Sequence, residues 1–350
     1  MIHPLPINLK EGVIDMKATL LGLIGAVLSV STFSNAFAND FKGLTSWGYQ
    51  LHDYKPEHIS RMENSKNTLW VIDYSKDGTD EQKFSKEEIS KFKKNGNVAI
   101  SYFCLGEAEM TRYYWHQFNR DALIKRDEVA GIGYKNSPLN FTVIEGSEIL
   151  GRDNAEYADN FPAKFWLPAW QKTMIEDSAE SGISYLNRII AAGFDGVYLD
   201  TVDAFEYYNE KSIATRAKQM YEFVIKIAKL GRAKNPNFKI MMQNGMSIAG
   251  HLSETEKATL FSYVKGFGVE DLFHPGAGDN NPRKFSKSGE FKEIKEIRSK
   301  FKDITFFTVD YIPGLSQEDK ASYFKDAHKK DLIPVISDRS LSGNMLLFRP

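Results

Sequence analysis

Five carboxylates stand at the ends of short apolar runs in this sequence. Asp73 follows TLWVI and Glu107 follows AISYFCLG. Asp200 ends GVYLD, Glu270 ends VKGFGVE and Asp310 ends TFFTVD. Asp203, Glu109, Asp271, Gln243, Asn244 and Tyr311 lie beside them. Runs of this kind read as buried strands, and in α/β barrels the groups at the C-terminal ends of the strands carry the chemistry. An isolated Asp after a strand is ordinarily a helix N-cap or an ion-pair partner, so the weight rests on the set. A mouth ringed by carboxylates, with amides and aromatics, suits glycoside hydrolysis, which needs one carboxyl group as acid and a second as nucleophile or base.

Other chemistries fit less well. Asp200 with Asp203, or Glu107 with Glu109, has the spacing to ligate Ca²⁺ or Mg²⁺. The sequence has no EF-hand loop and no H-E-x-x-H, and its seven His residues, His52 and His274 among them, are scattered. A G-x-S-x-G elbow and a Walker A run are both missing, and Gly266, Gly268, Gly276 and Gly278 do not make a dinucleotide fingerprint. No metal and no cofactor are expected.

The elements that must position these groups follow from pattern. Side chains alternate faces along a strand, so Gly196, Tyr198 and Asp200 share one face while Asp195, Val197 and Leu199 share the other. The second face suits a helix layer, which turns Asp200 inward at the mouth. Gly266, Gly268 and Glu270 repeat the phase. Strands are expected at 47–51, 68–74, 97–105, 194–200, 238–244, 264–270, 304–311 and 332–337. Helices are expected at 57–63, 85–94, 171–192, 206–230, 255–263, 290–301 and 317–330, with Ser85 and Glu88 as a capping box and Gly193 as a helix stop. Pro168 argues against a strand at 164–170. The result is one (β/α)8 barrel, regular or distorted, with a long excursion at 108–170 after the third strand. Long loops of this sort are commonly functional, and this one is placed to form a cleft wall.

The chain has 350 residues, 42% of them hydrophobic and 13% aromatic, enough for a single large core. A net charge of -1 gives no footprint for nucleic acid. Lys17, the apolar run 18–30 and Ala36-Phe37-Ala38 read as a signal peptide over 16–38, cleaved near Ala38, with Met16 as initiator and residues 1–15 as an upstream mis-start. The run is too short to span a bilayer well. A secreted or periplasmic barrel at 39–350 is expected, with no lasting membrane insertion. Cys104 is the single cysteine, so no internal disulfide is available, and it reads as a buried thiol.

The segments GEAEMTRYYW (106–115), GFDGVYLDTVDA (193–204) and GFGVEDLFH (266–274), with WGYQL near Trp47 and VIDYSKDG near Val71, resemble glycoside hydrolase family 114, the endo-α-1,4-polygalactosaminidase family. The resemblance runs through most of the mature chain in the same order. It implies a (β/α)8 barrel that cleaves α-1,4-linked polysaccharide rich in galactosamine or N-acetylgalactosamine, with Asp200 and Glu270 at the family's two acidic catalytic positions. Asp73, Glu107, Asp203, Gln243, Asn244, Asp310, Tyr311 and Tyr198 are then the expected substrate-binding and supporting groups. Phe267, Val269, Leu272 and Phe273 beside Glu270 suggest a desolvated proton donor there, with Asp200 as nucleophile or base. Two alternatives remain at this level: a carbohydrate-binding barrel without turnover, and a metal-dependent polysaccharide deacetylase.

Overall fold

The computed structural model describes residues 40–117, 160–179, 182–208, 211–276, 278–282 and 288–348. The chain divides into two units, Met1–Ala36 and Phe37–Pro350, and the barrel belongs to the second. The leader expected at 16–38 and most of the excursion, 118–159, lie outside the described residues.

Eight parallel strands form the barrel: β1 Ser46–Gln50, β2 Thr68–Ile72, β3 Val98–Cys104, β6 Gly196–Asp200, β7 Lys239–Gln243, β8 Val264–Glu270, β9 Thr305–Asp310 and β10 Ile333–Ile336. They pair in chain order, and β1 stands beside β10 so that the ring is nearly closed. A two-residue strand, β11 Leu346–Leu347, adds antiparallel to β10. After β3 the excursion starts and ends in a small antiparallel ribbon, β4 Glu107–Glu109 with β5 Asn160–Pro162. The (β/α)8 expectation holds, and every expected strand is found within two or three residues of its predicted ends.

The alternation of the strands separates two apolar layers. Trp70, Ile72, Val197, Leu199, Met242, Phe267, Val269 and Phe306 face outward and pack under the helices. Trp47, Tyr49, Val71, Ile100, Tyr102, Tyr198, Met241, Phe307, Val309 and Val335 fill the barrel's interior. Burial of this kind contributes roughly 1.5–3 kcal/mol per large side chain before entropy is counted. The interior is crowded enough to require glycine. A Cβ on Gly268 would lie 2.0 Å from the Tyr198 hydroxyl. Any side chain at Gly268 would therefore displace Tyr198 directly beneath the mouth.

Five helices start at serine caps whose hydroxyls accept an N–H three residues on: Ser85, Ser184, Ser212, Ser253 and Ser316. Ser85 and Glu88 complete the expected capping box, and Gly193 ends its helix at φ 90°. These caps explain two departures from the sequence reading. The helix expected at 171–192 is two helices, Pro168–Ile175 and Tyr185–Ala192, because Asp177 accepts from Ser184 N (2.8 Å) and Ser184 restarts the chain. The helix expected at 206–230 begins instead after Ser212, as Ile213–Lys234, preceded by a 3-10 turn, Val202–Glu206. No helix among the described residues is long and apolar enough to cross a membrane.

Candidate active site

The inward row of each strand continues into the mouth. On β6 Tyr198 leads to Asp200, on β7 Met241 leads to Gln243, on β8 Gly268 leads to Glu270, and past β9 Val309 leads to Tyr311. The ladders pair Leu199 with Met242 and Gln243 with Gly268, so Glu270 stands two residues beyond the level of Gln243. Asp200, Gln243, Glu270 and Tyr311 therefore share the C-terminal rim of three neighbouring strands and the residue just after a fourth.

Glu270 is held by three side-chain donors. Gln243 Nε2 (2.6 Å) and Asn244 Nδ2 (2.9 Å) donate to Oε2, and the Tyr311 hydroxyl donates to Oε1. The Asn244 carboxamide oxygen also accepts from Glu270 N at 3.1 Å. Gln243 is itself oriented: the buried Tyr49 hydroxyl donates to its Oε1 at 2.9 Å, which leaves the NH₂ aimed at Glu270. Asp200 accepts from the Tyr102 hydroxyl (2.6 Å) at Oδ2 and from Thr201 N (2.7 Å) at Oδ1. Burial, and then the charge of Glu270, push the Asp200 carboxyl up to about 8.

The apolar neighbours expected to desolvate Glu270 do not do so. Phe267, Val269, Leu272 and Phe273 all belong to the outer layer beneath the helices. Strand parity turns Phe267 and Val269 away from the carboxyl group, and Leu272 and Phe273, beyond the strand end, pack into the same outer layer.

The remaining candidates separate by geometry. Asp203, partly exposed beside Asp200, is pushed up to about 6 by burial first, with Glu206 adding to the rise, and it shares a hydrogen bond with Tyr207. Glu107 sits on the ribbon, where Asn160 Nδ2 approaches its carboxylate at 3.4 Å. Asp73 is in the inward phase but buried, and Arg112 clamps it through two bonds of 2.8 and 2.6 Å. Arg112 also holds Glu109 (2.7 and 2.9 Å), so it serves Asp73 and Glu109 in a buried network.

Two expected substrate contacts must be corrected. Asp310 is fully buried on the outward face of β9, where it accepts the N–H groups of Phe273 (2.9 Å) and His274 (2.7 Å) and so anchors the loop after Glu270. Burial pushes its carboxyl up to about 7. Tyr198 is fully buried in the barrel interior against Tyr49 and Gly268. Both support the site from below and neither reaches solvent.

Of the aromatics in the segments after β3 and β6, Tyr114, Trp115, Trp170 and Tyr208 are buried in the core, whereas Tyr113, Trp166 and Tyr207 are only partly covered and have a face to offer a sugar ring. Sequence reasoning missed Tyr49, Tyr102 and Arg339. The first two look like ordinary strand aromatics, although their inward parity was readable. Arg339 pairs with Asp271 from a loop after β10 and carries no local signal. Among the described residues no three His, Cys, Asp or Glu side chains converge as a metal site.

Comparison with known proteins bears on the family and the fold. The archaeal protein MJ1477 of Methanocaldococcus jannaschii is 35% identical over 316 residues, covering 87% of this chain and 78% of that protein. Two solved structures share the fold. The glycoside hydrolase domain of PelA from Pseudomonas aeruginosa superposes with a TM-score of 0.57 at 12% identity, covering 86% of this chain and 97% of the domain. Aspergillus fumigatus Ega3, solved in complex with galactosamine, superposes at 0.56 and 15% identity, covering 87% of this chain and 95% of that one. The profile of glycoside-hydrolase family GH114 matches residues 30–349. With strand-end carboxyls facing one barrel mouth and a family match over nearly the whole barrel, this chain belongs to glycoside hydrolase family GH114 and is a glycoside hydrolase.

Proposed function

We propose that this hydrolase cleaves α-1,4-linked, galactosamine-rich polysaccharide with Asp200 and Glu270 as its two carboxyl groups. The observation that carries the reading is the pair itself: two carboxyl groups on the inward rims of β6 and β8, each tied down by hydrogen-bond donors, with the Asp200 carboxyl pushed up to about 8 by burial and then by the charge of Glu270. One carboxyl group delivers a proton to the glycosidic oxygen as the bond from the anomeric carbon breaks. The other attacks the anomeric carbon, or takes a proton from the water that does. Galactosamine units are cationic when not acetylated, and Asp203 and Glu206 beside the pair add negative field at the mouth in a protein of near-zero net charge. The galactosamine bound to Ega3 supports the same substrate class.

Export belongs to the reading. The leader over 16–38 is removed near Ala38, and the barrel of 39–350 acts outside the cytoplasm. N-terminal sequencing of exported protein should begin near Asn39; a start well upstream of Ala36 refutes that cleavage.

The test is incubation of the full protein with partly deacetylated α-1,4-galactosamine polymer, with and without chelator. Shortened oligosaccharides that persist in chelator support the proposal. Acetate release without chain cleavage indicates a deacetylase, and retention of polymer without products indicates a binding barrel. The anomeric configuration of the first product then gives retention or inversion.

A further inference from the structure

We propose that Arg339 is a positioning residue for Glu270, acting through the Tyr311 ring and the Asp271 carboxylate. The inference rests on Glu270 being one of the two working carboxyl groups. Arg339 lies in the loop after β10, two strands away from β8 in the ring. Its guanidinium holds Asp271 through Nη1 to Oδ2 (3.2 Å) and Nη2 to both carboxylate oxygens (2.9 and 3.1 Å). Nη2 also donates to the Gly276 carbonyl at 2.9 Å, and the Arg339 N–H donates to Asp279 at 3.1 Å. The guanidinium carbon stands 4.2 Å from the centroid of the Tyr311 ring.

These contacts close a loop of interactions around Glu270. Asp271 is its covalent neighbour and sits in the left-handed region at φ 53°. Its N–H is fixed to Val309 O at 2.9 Å, two residues before Tyr311. Tyr311 donates to Glu270 Oε1. Arg339 thus grips the residue after the carboxyl group and the ring of its hydrogen-bond donor together. A cation over the face of a phenol draws on the ring's quadrupole and makes the hydroxyl a better donor. The ion pair also neutralises a carboxylate that would otherwise stand next to Glu270. Bidentate geometry with ring stacking is what arginine offers and lysine offers only in part.

The variants are Arg339→Met, which keeps length and removes charge, and Arg339→Lys, which keeps charge, with Tyr311→Phe as reference. Thermal melts first establish which variants are folded. In full-length protein labelled with ¹³C at the Glu carboxyl carbons, the Glu270 signal is assigned by its loss in Glu270→Gln. The signal should move in Arg339→Met in the same direction as in Tyr311→Phe, and Arg339→Lys should lie closer to wild type. On galactosamine oligomers Arg339→Met should lose about tenfold in kcat with KM within about twofold, a size set by the cation–ring and hydrogen-bond contributions. Combined with Tyr311→Phe it should lose much less than the product of the two effects.

An unmoved Glu270 signal in folded Arg339→Met overturns the proposal, as does full multiplicativity in kcat. If Arg339→Met does not fold, Arg339→Lys decides: it must show an intermediate Glu270 shift, and a signal at the wild-type position refutes the role. The carboxyl signal is read without substrate, so inactivity of the wild type on galactosamine oligomers would refute the substrate reading alone.

Discussion

Replacing Asp200 by Asn should nearly abolish turnover and yet stabilise the fold, by an amount that depends on pH in a defined direction. The Asp200 carboxyl rises from 3.8 to about 8 on folding, through burial first and the charge of Glu270 second. Across that window the folded state keeps a proton that the unfolded chain has released, so the wild type loses stability as pH rises through it. At pH 7 the full shift would correspond to about 4 kcal/mol, at 1.36 kcal/mol per unit. Solvent reaches Asp200 from the mouth, which reduces the expected effect to ~1–3 kcal/mol. Asn cannot accept at both oxygens, so either Tyr102 or Thr201 N loses its acceptor, a cost of about 1 kcal/mol.

The net gain should therefore be ~1–2 kcal/mol at pH 8, a rise of a few degrees in Tm, and should shrink as pH falls and vanish below about pH 4, where the carboxyl becomes neutral in both states. Loss of acid–base help should lower kcat by ~10²–10⁴. Melts of both proteins from pH 5 to 8, with kcat on an active substrate, make the test. A flat Tm difference across that range, or a variant less stable at pH 8, refutes the electrostatic argument.

Three further outcomes follow from the geometry. Glu270→Gln should stay folded and lose ~10²–10⁴ in kcat, and a substrate with a very good leaving group should rescue only one of Glu270→Gln and Asp200→Asn, the one that lacks the proton donor. Equal rescue of both would refute a division of roles. Asp310→Asn keeps an oxygen for the Phe273 and His274 N–H groups and should retain near wild-type kcat with a gain in stability above pH 7, whereas Asp310→Ala should cost ~1–3 kcal/mol in denaturant melts by leaving both donors unpaired. Tyr49→Phe frees the Gln243 carboxamide to rotate and should lower kcat by about threefold to tenfold with little change in Tm, from a net ~0.5–1.5 kcal/mol of lost orientation; unchanged kcat would show that Gln243 needs no support from below.

The strand ends were legible because hydrophobic runs of period two stop where the barrel core stops. Parity along those runs also put Asp200 and Glu270 in the same inward phase. The same parity, applied to β9, assigns Asp310 to the helix side with Phe306 and Thr308, so the error there came from weighing residue type above phase. Glu270 was given apolar neighbours by sequence distance, although adjacent residues in a strand face opposite layers. Arg339 is a different case. It reaches Asp271 across 68 positions of sequence, and an arginine in a polar loop carries no periodicity. Arg112 is intermediate: Glu109 stands only three positions before it, but Asp73 is 39 positions away and only the fold brings them together.

Backbone conformation accounts for how so many polar groups converge on one rim. The residues that directly follow Asp200, Gln243 and Glu270 are Thr201, Asn244 and Asp271, and all three lie in the left-handed region, at φ 54°, 46° and 53°. Asn and Asp enter that region with modest cost, but for a β-branched Thr it is an outlier, and such residues cost of order 1–3 kcal/mol each. In every case the turn makes a bond that an extended residue would not make. Thr201 N reaches back to Asp200 Oδ1, while its hydroxyl donates to Asp200 O (2.7 Å) and accepts from Gly106 N (2.6 Å), which ties β6 to the start of the ribbon. The Asn244 side chain meets both the carboxylate and the N–H of Glu270. Asp271 turns its carboxylate out to Arg339. A strand that simply ran on would carry its next side chain to the helix layer; a left-handed residue stops the run and returns its polar atoms to the mouth. The strained turns and the raised Asp200 carboxyl thus occupy the same few residues, and the two apolar layers beneath them supply the stability that lets both persist.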